Sequence, residues 1–111
     1  MLLHITTKQQ WQSAQNEGHY IADSLTNEGF IHCSLRHQLI RVANYNFKHQ
    51  KGLVLLVIDE TMLESQVKYE DLYRSGEKFP HVYGPVNLSS VIGVHKFSPM
   101  VDGNFTLPKY V

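Results

Sequence analysis

Gly52-Leu53-Val54-Leu55-Leu56-Val57-Ile58 is the longest apolar run in this chain of 111 residues. No polar residue interrupts it, and Val54, Val57 and Ile58 are β-branched. Such a run, introduced by a glycine, reads as a central strand buried on both faces rather than as an alternating, half-exposed one. It is far short of the roughly 20 residues that cross a bilayer. A strand of this kind needs partners on both edges and cover on both faces, and the flanking sequence supplies candidates for each.

Upstream, Leu35, Leu39, Ala43 and Phe47 recur every four residues with Ile40 beside them, the pattern of an amphipathic helix. Ser34 stands where an N-cap belongs, and Gly29 to Cys33 reads as a short strand leading into it. At the N-terminus, Leu2 to Ile5 reads as a first strand. Thr7 and Gln10 have capping-box spacing and open a helix from about Lys8 to Asn16 that closes near Gly18, with Trp11 and Ala14 on its apolar side. Downstream, Thr61 and Glu64 repeat the capping-box spacing around a single turn. Val67 to Leu72 reads as a strand, Ser75-Gly76 breaks the chain, and Val91 to Phe97 is another strand. Asp102-Gly103 signals a hairpin turn before a last strand, Asn104 to Leu107. Helices and strands mix without regular alternation and no linker or repeat divides them, so the reading is one α+β domain over residues 1–111.

Composition narrows the function classes. Hydrophobic residues make up 42%, enough for an ordinary core, and ten basic residues balance ten acidic ones. That balance argues against binding duplex nucleic acid, which calls for a basic face, and against a lysine-rich membrane-surface helix. With Cys33 as the only cysteine, no intrachain disulfide can form. The first residues lack the basic and long apolar regions of a signal peptide, so a cytoplasmic location is expected. Oligomeric state is left open by the residues.

Seven histidines are the conspicuous chemical resource. His32 ends a strand just before a predicted helix, whose first N–H groups can hold an anion together with the Ser34 hydroxyl. The structural alternative, a helix cap and a core histidine, is the simpler reading of these two residues taken alone. In Phe79-Pro80-His81-Val82-Tyr83-Gly84-Pro85, rigid backbone frames an imidazole and a phenol. That suits a ligand wall and suits a tight structural turn equally well. Glu70 lies in a predicted strand, where a carboxylate facing a cleft is an acid/base candidate and one facing water is merely solvated. No zinc-ligand spacing occurs, so no metal is expected. Cys33 has no basic neighbour to activate it, and no glycine-rich phosphate loop or nucleophile elbow is present.

Three segments together carry a family resemblance: Leu2-Leu3-His4-Ile5-Thr6, Glu28-Gly29-Phe30-Ile31-His32-Cys33-Ser34, and Phe79 to Pro85. In order and spacing they resemble a bacterial group catalogued as domain of unknown function 952, from His4 to about Val94. That resemblance implies an ADP-ribosyltransferase-like fold, a split and strongly bent antiparallel sheet with a few short helices. A more distant likeness is to the catalytic lobe of RNA 2′-phosphotransferases. There His4-Ile5-Thr6 and Ile31-His32-Cys33-Ser34 match two motifs, and Leu53 to Asp59 matches an apolar strand. Ile5 departs from the glycine usual at that point, the separate N-terminal lobe is missing, and no late glutamate matches a catalytic one. Glu70 is the stand-in.

The resemblance implies a cleft for NAD or a related nucleotide or phosphate ligand, with no membrane or duplex partner. His4, Thr6, Ser34 and Tyr83 are the expected ligand-binding residues. His32, Glu70 and His81 are the expected catalytic ones. A non-catalytic binding module on the same fold, or an interaction domain in which these residues are structural, stands as the alternative. His4, His32 and His81, although far apart in sequence, are expected to converge on one concave site.

Overall fold

The computed structural model describes residues 1–109 and 111. Its elements run β1 (Leu2–Thr7), α1 (Lys8–Glu17), β2 (His19–Tyr20), α2 (Asp23–Glu28), β3 (Ile31–His32), α3 (Arg36–Asn46), β4 (Leu53–Ile58), β5 (Gln66–Glu70), β6 (Phe79–Tyr83), β7 (Val86–Asn87) and β8 (Val91–Phe97). Short 3-10 turns cover Glu60–Met62 and Leu88–Ser90. The chain is α+β, and every named strand pairing is antiparallel. Among the described residues no helix is long and apolar enough to cross a membrane.

The apolar run is the centre of the first sheet, in the order β1-β4-β8. Successive side chains of a strand point to opposite faces. Val54, Leu56 and Ile58 therefore join one core, with Leu2, Tyr20, Ile31 and Val82. Leu53 and Leu55 join the other, with Leu3, Ile5, Leu39, Ala43 and Phe97. The second sheet has the order β3-β6-β5, and β2 pairs with β7 in a separate ribbon. The two larger sheets meet at one bridge, where Leu3 and Ser34 exchange both backbone hydrogen bonds at 2.8 Å.

That bridge corrects one expectation. The N-cap of α3 is Leu35, not Ser34, because both backbone groups of Ser34 are committed to Leu3. Gln38 compensates for the lost cap: its Oε1 accepts the Leu35 N–H at 2.9 Å while its Nε2 donates to the Lys78 carbonyl at 2.8 Å. At the other predicted capping boxes the structure keeps the turn and changes the chemistry. Thr7 caps α1 by accepting from the Gln10 N–H at 3.1 Å, but the Gln10 side chain turns to the Thr6 hydroxyl instead of back to Thr7. Asp59 rather than Thr61 caps the turn after β4, accepting from the Thr61 N–H at 3.0 Å.

The expected strand Asn104 to Leu107 does not form. The Asp102-Gly103 turn is present, closed by a Met100 N–H to Asn104 carbonyl bond of 2.8 Å. The segment after it leaves the sheet because the Asn44 side chain takes the Phe105 N–H at 2.7 Å, and the Phe105 ring stacks on Phe97 at 4.6 Å. The proline-framed segment does the reverse. Phe79–Tyr83 is the central strand of the second sheet. Pro80 is tolerated near its start, where its carbonyl accepts the Cys33 N–H at 3.1 Å and no N–H is required of it.

One prediction arises here. Replacing Thr7 with alanine leaves an orphan N–H at the start of α1 and should cost about 1 kcal/mol. Urea denaturation of the variant and its parent measures it, and equal midpoints would remove the cap from the account.

Candidate functional site

The middle of β1, the end of β3, the α2 and α3 helices and the first half of β6 line a cavity of about 580 Å³. His4, His32, Ser34 and His81 all line it, so three segments distant in sequence reach one concavity. Glu70, Tyr83 and Thr6 are not part of its wall.

His81 faces inward from β6 and is 2% exposed. Its ring stacks on Phe30, with centroids 4.2 Å apart. Nδ1 lies 3.1 Å from Glu70 Oε1. A carboxylate only accepts, so Nδ1 carries a proton, and in the neutral tautomer this leaves the lone pair on Nε2. Among the described residues, Nε2 has no hydrogen-bond partner. Glu70 is held in turn by the Tyr83 hydroxyl, which donates to the same oxygen at 2.5 Å. The Tyr83 and His81 hydrogen bonds, in that order, hold the Glu70 carboxyl below its ordinary pKa. Glu70 and Tyr83 thus stand behind His81 rather than in the cavity.

His32 repeats the arrangement at the rim. Its Nε2 donates to Glu28 Oε2 at 2.8 Å, and its ring lies 5.5 Å from that of His81 at an interplanar angle of 78°. The side chain is 41% exposed, which excludes the core-histidine reading. The His32 hydrogen bond is the largest cause of a lowered Glu28 pKa. Tyr73 also donates to Glu28, at 3.3 Å.

His4 differs from both. It is buried, its Nδ1 donates to the His32 carbonyl at 2.6 Å, and its Nε2 lies 2.7 Å from the Tyr20 hydroxyl. The Tyr20 and Thr6 oxygens are 2.9 Å apart, and Thr6 reaches Gln10 at 2.8 Å. Burial pushes the His4 pKa down to about 4, so the ring is neutral at pH 7, with its proton on the Nδ1 that faces the His32 carbonyl. Both nitrogens are spent inside the protein. His4 therefore acts on the cavity by fixing the His32 peptide, and Thr6 by fixing Tyr20.

Two amides leading into α3 are spent inside the protein. The Ser34 N–H serves Leu3 at 2.8 Å and the Leu35 N–H serves Gln38. Burial raises the Cys33 thiol to about 12, which keeps it protonated and unreactive. Among the described residues no group of three histidine, cysteine, aspartate or glutamate side chains is arranged to hold a metal ion.

Sequence reasoning passed over Glu28, Tyr45, Asn46 and Tyr73, all of which line the cavity. Glu28 lies four residues before His32, but an intervening turn and strand hide that pairing from helical periodicity. Tyr45 falls off the apolar stripe of α3, and Tyr73 sits in a loop.

The family profile described as "Protein of unknown function (DUF952)" matches residues 5–94. The chain belongs to that family. Among solved structures it is similar to protein CC0527 from Caulobacter crescentus. The crystal structure of CC0527 superposes with a TM-score of 0.87 at 30% identity, covering 96% of this chain and 93% of that one. A double mutant of CC0527 gives a TM-score of 0.86 at 29% identity, covering 96% and 93%. The solution NMR structure gives 0.84 at 29%, covering 99% and 95%. No curated protein matches the chain. CC0527 shares this α+β architecture.

Proposed function

We propose that the cavity binds a nucleotide-like ligand, of which NAD and ADP-ribose are the leading examples, and that the histidines on its wall act on it as acid and base in a transfer or hydrolysis. The observation that carries this reading is the Glu70–His81 pair. A carboxylate on Nδ1 sets the tautomer and leaves Nε2 free at a concave wall, which is how an imidazole is readied as a general base. His32, oriented by Glu28 beside it, is the second proton-transfer group. Ser34 adds a hydroxyl at the wall, while His4, Thr6 and Tyr83 position these groups from behind. The resemblance to ADP-ribosyltransferase-like folds supports the choice of a nucleotide.

A non-catalytic binding module is the second reading. It is favoured by the apolar share of the wall, which includes Leu3, Ile5, Val42, Phe47 and Phe79. Recovery of the bound ligand unchanged would distinguish it from the enzyme.

The test is a thermal-shift series with NAD, ADP-ribose, 2′-phosphorylated nucleotides and sugar phosphates. A ligand at 100 times its dissociation constant adds about 2.7 kcal/mol, or a rise in Tm of about 10 °C for a domain of this size. His32→Ala should then weaken binding by about 0.5–1.5 kcal/mol, the range for an ordinary hydrogen bond, while leaving stability nearly unchanged. Absence of any shift across the series would sink the reading. A destabilised His32 variant that binds normally would remove His32 from the site.

A further inference from the structure

The charges around the cavity say which end of such a ligand enters it. Among the described residues no lysine or arginine lines the wall, and Glu28 is its only carboxylate. A phosphate placed inside would meet the Glu28 carboxylate with no lysine or arginine to offset it. The amides of Ser34 and Leu35, which open the segment into α3, are already bonded to Leu3 and Gln38. The wall therefore offers a phosphate neither a lysine or arginine nor a free amide at Ser34 or Leu35.

What the wall does hold is aromatic surface and a hydrogen-bond acceptor. Tyr45, from α3, and Tyr73, from the loop after β5, both line the cavity and are 86% and 67% exposed. Large aromatic rings left in water at the mouth of a concavity are stacking platforms, because any base presents them a flat π-face. Glu28 carries a carboxylate that Tyr73 contacts only at 3.3 Å. A ligand hydroxyl can displace that long bond for a shorter, charge-assisted one. A carboxylate beside an aromatic platform is the chemistry that reads a ribose diol and its base.

Resting on the nucleotide reading above, we infer that the cavity recognises the nucleoside part of its ligand. The base stacks on Tyr45 and Tyr73, the ribose hydroxyls donate to Glu28, and any phosphate remains outside in water. Specificity therefore lies in the base and the diol.

The experiment titrates the full chain with adenosine, AMP, ADP-ribose, ribose 5-phosphate and inorganic phosphate, followed by calorimetry and by amide NMR shifts. Adenosine and AMP should bind within about threefold of each other, and ribose 5-phosphate and phosphate at least about tenfold more weakly. Tyr45→Ala should weaken adenosine by about tenfold, and Tyr45→Phe, which keeps the ring, should not. Glu28→Gln should weaken adenosine by about tenfold and leave 2′,3′-dideoxyadenosine unaffected. If ADP-ribose or AMP binds and adenosine does not, the inference is overturned while the nucleotide reading stands. Adenosine binding undisturbed by Tyr45→Ala also overturns it. If none of the nucleotides binds, the nucleotide reading itself fails and takes this one with it.

Discussion

Lowering the pH from 7 to 4 should cost the folded protein about 3 kcal/mol through His4 alone, most of it lost above pH 4.5. Burial holds the His4 pKa at about 4, against 6.5 for an exposed histidine. Between those values the unfolded chain carries a proton that the folded one refuses. Stability from this group is therefore complete above about pH 6.5 and falls as the pH falls toward 4. Protonation makes Nε2 a second donor, facing a Tyr20 hydroxyl that donates to Thr6 at 2.9 Å while Thr6 donates on to Gln10 Oε1 at 2.8 Å. The charge would sit on a ring that is only 7% exposed.

The depressed carboxylates act in a lower window. Glu28 and Glu70 keep their contribution above about pH 4.5, and Asp59 and Asp71 above about pH 3.8; each loses it as the pH falls further. Urea denaturation at pH 7, 6, 5 and 4 separates the two windows. His4→Gln keeps a donor and an acceptor but cannot titrate, so its stability should be flat from pH 7 to pH 5. A parent protein equally flat over that range would refute the buried, neutral His4.

That contrast shows how far residues can be read before they are folded. His4, His32 and His81 are visible as chemistry, and their convergence follows from three motifs meeting on one sheet junction. Their division of labour is not visible. Whether an imidazole nitrogen is spent or free depends on partners such as Tyr20, Glu70 and the His32 carbonyl, and those are set by strand register. Long elements are legible because their periodicity repeats: the Leu53–Ile58 run, the Leu35-to-Phe47 stripe and Val91–Phe97 all appear where their patterns place them. The two-residue strands β2 and β7 have no period to detect. β6 is obscured by Pro80 and the Gly84-Pro85 pair after it, which read as turn signals, although Pro80 merely stands near the start of a strand. The helix α2 offers no buried residue to announce itself. Tyr45 and Tyr73 were invisible for a related reason: exposed aromatics follow no packing pattern, so only the cavity between them gives them meaning.

The strand that decides the fold also predicts the largest losses. Leu55 and Leu56 are adjacent, both fully buried, and point to opposite cores. Truncating a buried leucine to alanine costs about 2–5 kcal/mol, more where the surroundings cannot collapse into the space. Here β4 is hydrogen-bonded on one edge to β1 and on the other to β8, so the backbone cannot move inward and the cavity persists. Both Leu55→Ala and Leu56→Ala should therefore fall in the upper part of that range, about 3–5 kcal/mol. Their local consequences should differ. Leu55 packs in the core of Leu39, Ala43, Phe97 and Phe105, so its loss should speed hydrogen exchange in α3 and release the C-terminal segment from Phe97. Leu56 packs with Tyr20, Ile31 and Val82, so its loss should loosen the layer that supports His4 and His81 and leave α3 protected. Either variant losing less than about 1 kcal/mol would mean that its core can close the gap, contrary to a strand pinned on both edges. Equal exchange patterns in the two variants would mean that the cores are not energetically distinct, and that the single strand does not divide the protein as its alternation implies.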